Sequence, residues 1–136
     1  MEALVKTKIR TMILFVAMGA MTAPVALWAH HGSAIYDETK SVVLKGTVTE
    51  WLWANPHCLL EFDAKNDKGE SVHWTAEVSN PPDMIARGWS RKMFKPGDEI
   101  TVWMIAAKNG EPIGRMARVE VAGKRYEGMG RVPGEK

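Results

Sequence analysis

The sequence predicts a mainly β domain of five strands and one short helix, preceded by a signal peptide. Three observations predict it. Short stretches of alternating apolar and polar residues recur between turn signals from Val42 onward. One segment, opening at Asn80-Pro81, interrupts that alternation with the chemistry of a helix start. The first 29 residues have the basic, apolar and small-residue order of an export signal.

Lys6, Lys8 and Arg10 form the basic region, Met12 to Val16 open the apolar stretch, and Ala29 offers a small residue before the cut. Left uncut, Thr11 to Ala29 approaches the roughly 20 residues that span a bilayer. Pro24 and the small residues before Ala29 favour cleavage, which makes His30 the first mature residue. No paired arginines precede the run, so the general secretory route and a periplasmic or secreted location are expected, with no membrane attachment after cleavage.

The mature part, residues 30–136, is the size of one small domain. Of the 18 basic and 16 acidic side chains, three and one fall in residues 1–29, leaving 15 of each and no net charge. Such a balance lacks the clustered positive charge that nucleic acid requires. Cys58 is the single cysteine, so no internal disulfide can form and packing must supply the core; burial is the expected fate of its thiol.

Residues 30–41 have no period and read as an N-terminal arm. Val42 to Trp53 alternate as a first strand with Leu44, Gly46, Val48 and Leu52 on one face, and Gly46 suggests a bulge or sharp bend. Trp51 and Trp53 fall on the opposite face. Asn55-Pro56 ends the strand, since Pro56 has no amide hydrogen for a ladder. Cys58, Leu60 and Phe62 share a face of the second strand, Asn66 to Gly69 make a tight turn, and Val72, Trp74, Ala76 and Val78 define the third. Asn80 then caps a helix with Pro81 first, Asp83 near its positive end, and Gly88 able to stop it. Pro96-Gly97-Asp98 turns into a fourth strand, Glu99 to Ala107, and Asn109-Gly110 leads to a fifth from about Arg115 to Val121. The Gly-rich, charged residues 123–136 read as a flexible tail.

Three strands, a helix, then two strands is the order of an OB-like five-stranded Greek-key barrel, the oligonucleotide- and oligosaccharide-binding type, here over residues 42–122. A β-sandwich is the alternative, but it needs more strands than this pattern supplies.

The set His30-His31-Gly32-Ser33-Ala34, Asn55-Pro56-His57, Trp74 with Glu77, Gly88-Trp89 and Pro96-Gly97-Asp98 resembles a family of small secreted bacterial proteins, a domain family of unknown function. The likeness covers most of residues 30–122 and departs at the arm, where Gly32 is extra and the family's Phe after Ser is missing. It implies a secreted β-barrel-like domain and no established activity.

All four histidines, His30, His31, His57 and His73, belong to the mature part. An N-terminal His offers an amine beside its imidazole, and imidazole nitrogens suit Cu(II), Zn and Ni. The amine titrates near ~8, so a metal displaces its proton at modest cost. If a short hairpin joins the second and third strands, His57 and Glu77 lie at ends that meet, and an arm folding back brings His30 or His31 to His57. The expected site is therefore copper held by His30 and His57, with His31 as alternate ligand. Glu77 would accept a hydrogen bond from the far nitrogen of a ligand ring. The plain alternatives are a loose N-terminus, a turn histidine bonded to backbone, an exposed His73 and a Glu77 salt bridge to Lys or Arg. Cys58 points away from His57 by strand alternation.

The competing expectation is a metal-free interaction module using Trp51 and Trp53 as an aromatic face for a small ligand or protein, although aromatics also fill small cores. Hydrolase elbows, phosphate-cradling Gly loops and His-Glu-x-x-His helices do not occur in the sequence, which weighs against an enzyme. A copper oxidase or oxygenase on the same ligands is the remote third reading. The partner expected for a copper carrier is an exported oxidoreductase or another periplasmic protein.

Overall fold

The computed structural model describes residues 35–132. Residues 1–34, which include the stretch expected to be an export signal as well as His30 and His31, lie outside the described residues, as do residues 133–136. The described chain is mainly β, with six strands and one short helix. These are β1 (Tyr36–Leu52), β2 (Leu59–Lys65), β3 (Ser71–Glu77), α1 (Pro81–Ala86), β4 (Glu99–Ala107), β5 (Ile113–Val121) and β6 (Lys124–Glu127). The sheet runs β3-β2-β1-β4-β5-β6 with antiparallel neighbours, and Thr75 to Glu77 of β3 also meet Ile113 to Arg115 of β5 in parallel.

Long β1 serves two neighbours. Its first part pairs with β4 and its last part with β2, and Gly46 pairs with both Ala64 and Ile100 at the overlap. A Cβ at Gly46 would fall 2.5 Å from the Asp63 carbonyl oxygen and 2.8 Å from the Phe62 ring, so glycine is needed there for close approach. The bulge itself lies further on, where the register with β2 shifts between Val48 and Glu50. One extra residue reverses the side-chain alternation. That corrects the expected faces: Val48 points into the core, but Leu52 is pushed outward and Trp51 and Trp53 turn toward the core cluster.

Phe62, Leu60, Val48, Ala76, Val102 and Val119, with Met84, Met104 and Met116, form the buried centre between the strands. Fully burying a side chain such as Phe62 contributes about 1.5–3 kcal/mol. Cys58 is buried among them, and burial raises its thiol pKa. Helix α1 begins as its sequence requires, with the Asn80 side chain accepting from the Asp83 amide at 3.0 Å and prolines in the first turn. Its Met84 reaches the core, and Gly88, at φ +82°, lets the chain turn so that the Trp89 amide bonds the Met84 carbonyl at 2.9 Å.

Two segments are more ordered than their sequence suggests. Within the arm expected over 30–41, Tyr36 already pairs with Ala107 and is buried, while the Asp37 carboxylate turns the next residues outward by accepting from Thr39. Within the tail expected over 123–136, Ala122 and Gly123 both take positive φ, the geometry of a two-residue hairpin turn. The chain therefore folds back as β6 on β5. Its return is fastened by the Trp89 indole, which donates to the Glu127 carbonyl at 2.9 Å, and by the Gly128 amide on Ala117 at 2.8 Å. Among the described residues no helix is long and apolar enough to cross a membrane.

Candidate functional site

The β2–β3 pairing sets the site. Leu59 stands opposite Glu77, and reciprocal backbone bonds from Cys58 to Ser79 and from Val78 to Cys58 carry the pairing one step past β2. With Cys58 turned into the core, the preceding His57 projects outward beside Glu77. The turn before it, Asn55-Pro56, is cis.

Glu77 holds two partners at once. Its Oε1 meets His57 Nδ1, and its Oε2 accepts from the Tyr36 hydroxyl at 2.5 Å. The carboxylate sets the tautomer of the neutral ring: Nδ1 donates to Glu77, which puts the lone pair on Nε2. The His57 side chain is 45% exposed and that of Glu77 19%, so a shielded carboxylate steers a ring open to solvent. Burial first, then the bond to Glu77, drives the Tyr36 pKa far up, and the phenol remains a donor throughout the neutral range.

Arg115 completes the cluster from β5. It stands opposite Glu77 in the parallel pair, its guanidinium lies 5.5 Å from the centre of the Tyr36 ring, and its Nη2 pairs with Glu38. Its buried Nε makes no hydrogen bond. Tyr36, Glu38 and Arg115 were missed by sequence reasoning. Tyr36 and Glu38 belong to a segment without a period, and the β3–β5 contact that aligns Arg115 has no local signature.

His57 and Glu77 come together, and the partners of Glu77 are a histidine and a tyrosine instead of a Lys or Arg. His30 and His31 lie outside the described residues. Trp51 packs at 5.1 Å from Phe94, 5.6 Å from Trp53 and 6.0 Å from Trp89 between ring centres, and its indole donates to the Ser90 carbonyl at 3.1 Å. Both tryptophans are half-buried against the core. His73 lies on the outer face of β3 between the carboxylates of Asp63 and Glu61.

Among the described residues no group of three or more His, Cys, Asp or Glu side chains is placed to hold a metal ion. His57 with Glu77 behind it offers one oriented nitrogen, and any metal there needs its other ligands from elsewhere.

A family model described as a family of unknown function (DUF6152) matches residues 18–116, and the chain belongs to that family. No curated protein and no solved structure matches.

Proposed function

We propose that this member of the family is an exported, periplasmic or secreted binding protein that takes up copper through His30 and His57. The mature chain begins at His30, whose amine and ring supply two nitrogens; His57 Nε2 supplies a third, and His31 is the alternate arm ligand. Glu77 stands behind the His57 ring as its orienting acceptor.

One observation carries the reading: Glu77 ties together His57 and Tyr36. Tyr36 follows His30 by six positions. Six residues reach at most about 20 Å. The arm is thus tethered on the same carboxylate that orients the His57 ring, and His30 can return to it without spanning the domain.

The strand pairing supports a finer reading of the fold. With β3 joined to β5, the succession β1-β2-β3-β5-β4 returns to β1, as in a five-stranded OB-like Greek-key barrel with its helix between the third and fourth strands. In that architecture the β2–β3 face and the β1–β2 and β4–β5 loops are the customary ligand surface. His57 lies in the first of those loops. The second is tied to the start of β1 and to β3, with the Lys108 amide on the Ile35 carbonyl and the Thr75 amide on the Pro112 carbonyl. Copper binding or delivery to an exported oxidoreductase or another periplasmic protein is the role proposed, without catalysis by this chain. The metal-free aromatic module draws less support, because Trp51 spends its ring and its N–H on its own fold.

The test is a Cu(II) titration of protein beginning at His30, followed by calorimetry and electron spin resonance, beside a form with one extra leading residue and beside His57→Ala. Tight one-to-one binding weakened by both changes supports the site. Weak binding indifferent to both overturns it.

A further inference from the structure

The second histidine of the hairpin is held in a manner that the copper reading does not use. His73 stands opposite Asp63, and Thr75 opposite Glu61, all on the outer face of β2 and β3. His73 Nδ1 lies 2.8 Å from Asp63 Oδ1 and its Nε2 lies 3.2 Å from Glu61 Oε2, an oxygen that also accepts from the Thr75 hydroxyl at 2.8 Å. The two carboxylates therefore meet opposite nitrogens of one ring. Only the imidazolium can donate to both; a neutral ring would turn a lone pair toward one carboxylate. Opposed nitrogens also share no common point for a metal ion.

We propose that Asp63, His73 and Glu61 form a pH-sensitive clasp across the β2–β3 hairpin, closed while the imidazole is protonated and opened on one side when it loses its proton. Glu61 is the side that opens. Its contact with the ring is the longer, and Thr75 continues to satisfy it.

The surroundings sharpen the effect. On β1, Glu50 stands opposite Glu61, and Thr47, whose hydroxyl is taken by Glu99 of β4 at 2.8 Å, stands opposite Asp63. Toward the turn the next pair on the face is Lys65 with Ser71, and from β5 Ile113 stands opposite Thr75 and Arg115 opposite Glu77. Opening the clasp thus leaves Glu61 facing Glu50 across the strands, a like-charge pair that weakens the sheet.

The hydrogen bond that His73 donates to Asp63 is the largest influence on its pKa and raises it above the usual 6.5; partial burial opposes this, and the charges of Glu61 and Asp63 add to it. A group whose pKa is raised by folding stabilises the fold fully below its unfolded value and loses that contribution as pH climbs through the folded one. The clasp is therefore complete in mild acid and fails toward alkaline pH.

The experiment follows the His73 ring protons of the full chain by NMR through a pH titration. Beside it, urea unfolding midpoints are measured at acid and alkaline pH for the wild type and for His73→Gln. The expected result is a His73 midpoint above 6.5, lowered by Asp63→Asn. With it comes a fall in the wild-type urea midpoint toward alkaline pH that His73→Gln reduces. A His73 midpoint at or below the ordinary value overturns the proposal, as does an undiminished fall in His73→Gln. If the variant does not fold, the wild-type NMR titration decides alone. Copper plays no part in these readouts, so failure here leaves the His57 site standing, and failure of that site leaves the clasp.

Discussion

His57 and His73 belong to one hairpin yet are held in opposite ways. His57, at the open end, gives one nitrogen to a shielded carboxylate, and its ring is half open to solvent. His73, near the turn, gives both nitrogens to separate carboxylates, Glu61 as shielded as Glu77 and Asp63 half exposed. The first arrangement leaves a lone pair for an incoming ligand, and the second holds a proton. The difference comes from placement, since each ring meets whatever acceptors strand register sets beside it.

The largest break to this comparison removes the support both histidines share. Phe62→Ala empties the centre beneath the hairpin and should cost about 3–5 kcal/mol in urea unfolding, abolishing copper uptake and clasp together. Glu77→Gln separates the two ends. It should cost about 1–3 kcal/mol and weaken copper binding by roughly 10- to 100-fold, while the NMR midpoint of His73 stays in place. Tyr36→Phe is gentler, on the order of 1 kcal/mol, with a smaller loss of copper affinity because Glu77 still holds His57. His57→Gln should shift stability by no more than about 0.5 kcal/mol, since the ring is half exposed. In calorimetry it should nevertheless remove the copper site, and a variant that binds copper as the wild type does would erase the distinction between the two histidines.

Much of this was legible in the residues, and what escaped has identifiable causes. Alternation located five strands, and Asn80, Pro81 and Asp83 announced the helix, because each signal is local. The meeting of His57 and Glu77 was also legible, since the Asn66 to Gly69 turn makes two strands a hairpin and alternation then chooses the face. The bulge after Val48 was not, because an unpaired extra residue leaves no composition of its own, and it reversed the expected places of Trp51 and Leu52. Gly46 drew notice for a bend, whereas its role is to let Phe62 and Asp63 come close. Tyr36 and Arg115 escaped because they reach Glu77 through contacts between distant parts of the chain.

The short strand β6 has a consequence for how copies of this protein behave toward one another. One side of β5 faces β4, and the other is divided between β3 at its start and β6 at its end. Without Lys124 to Glu127 the stretch Arg118 to Val121 would present bare amide and carbonyl groups, a template on which a strand of another molecule can lie. With them, the outermost strand reads Lys-Arg-Tyr-Glu, too short and too charged to invite such pairing. The last described strand is thus a guard against fibrous self-assembly, and a chain clipped after Gly123 would lose it.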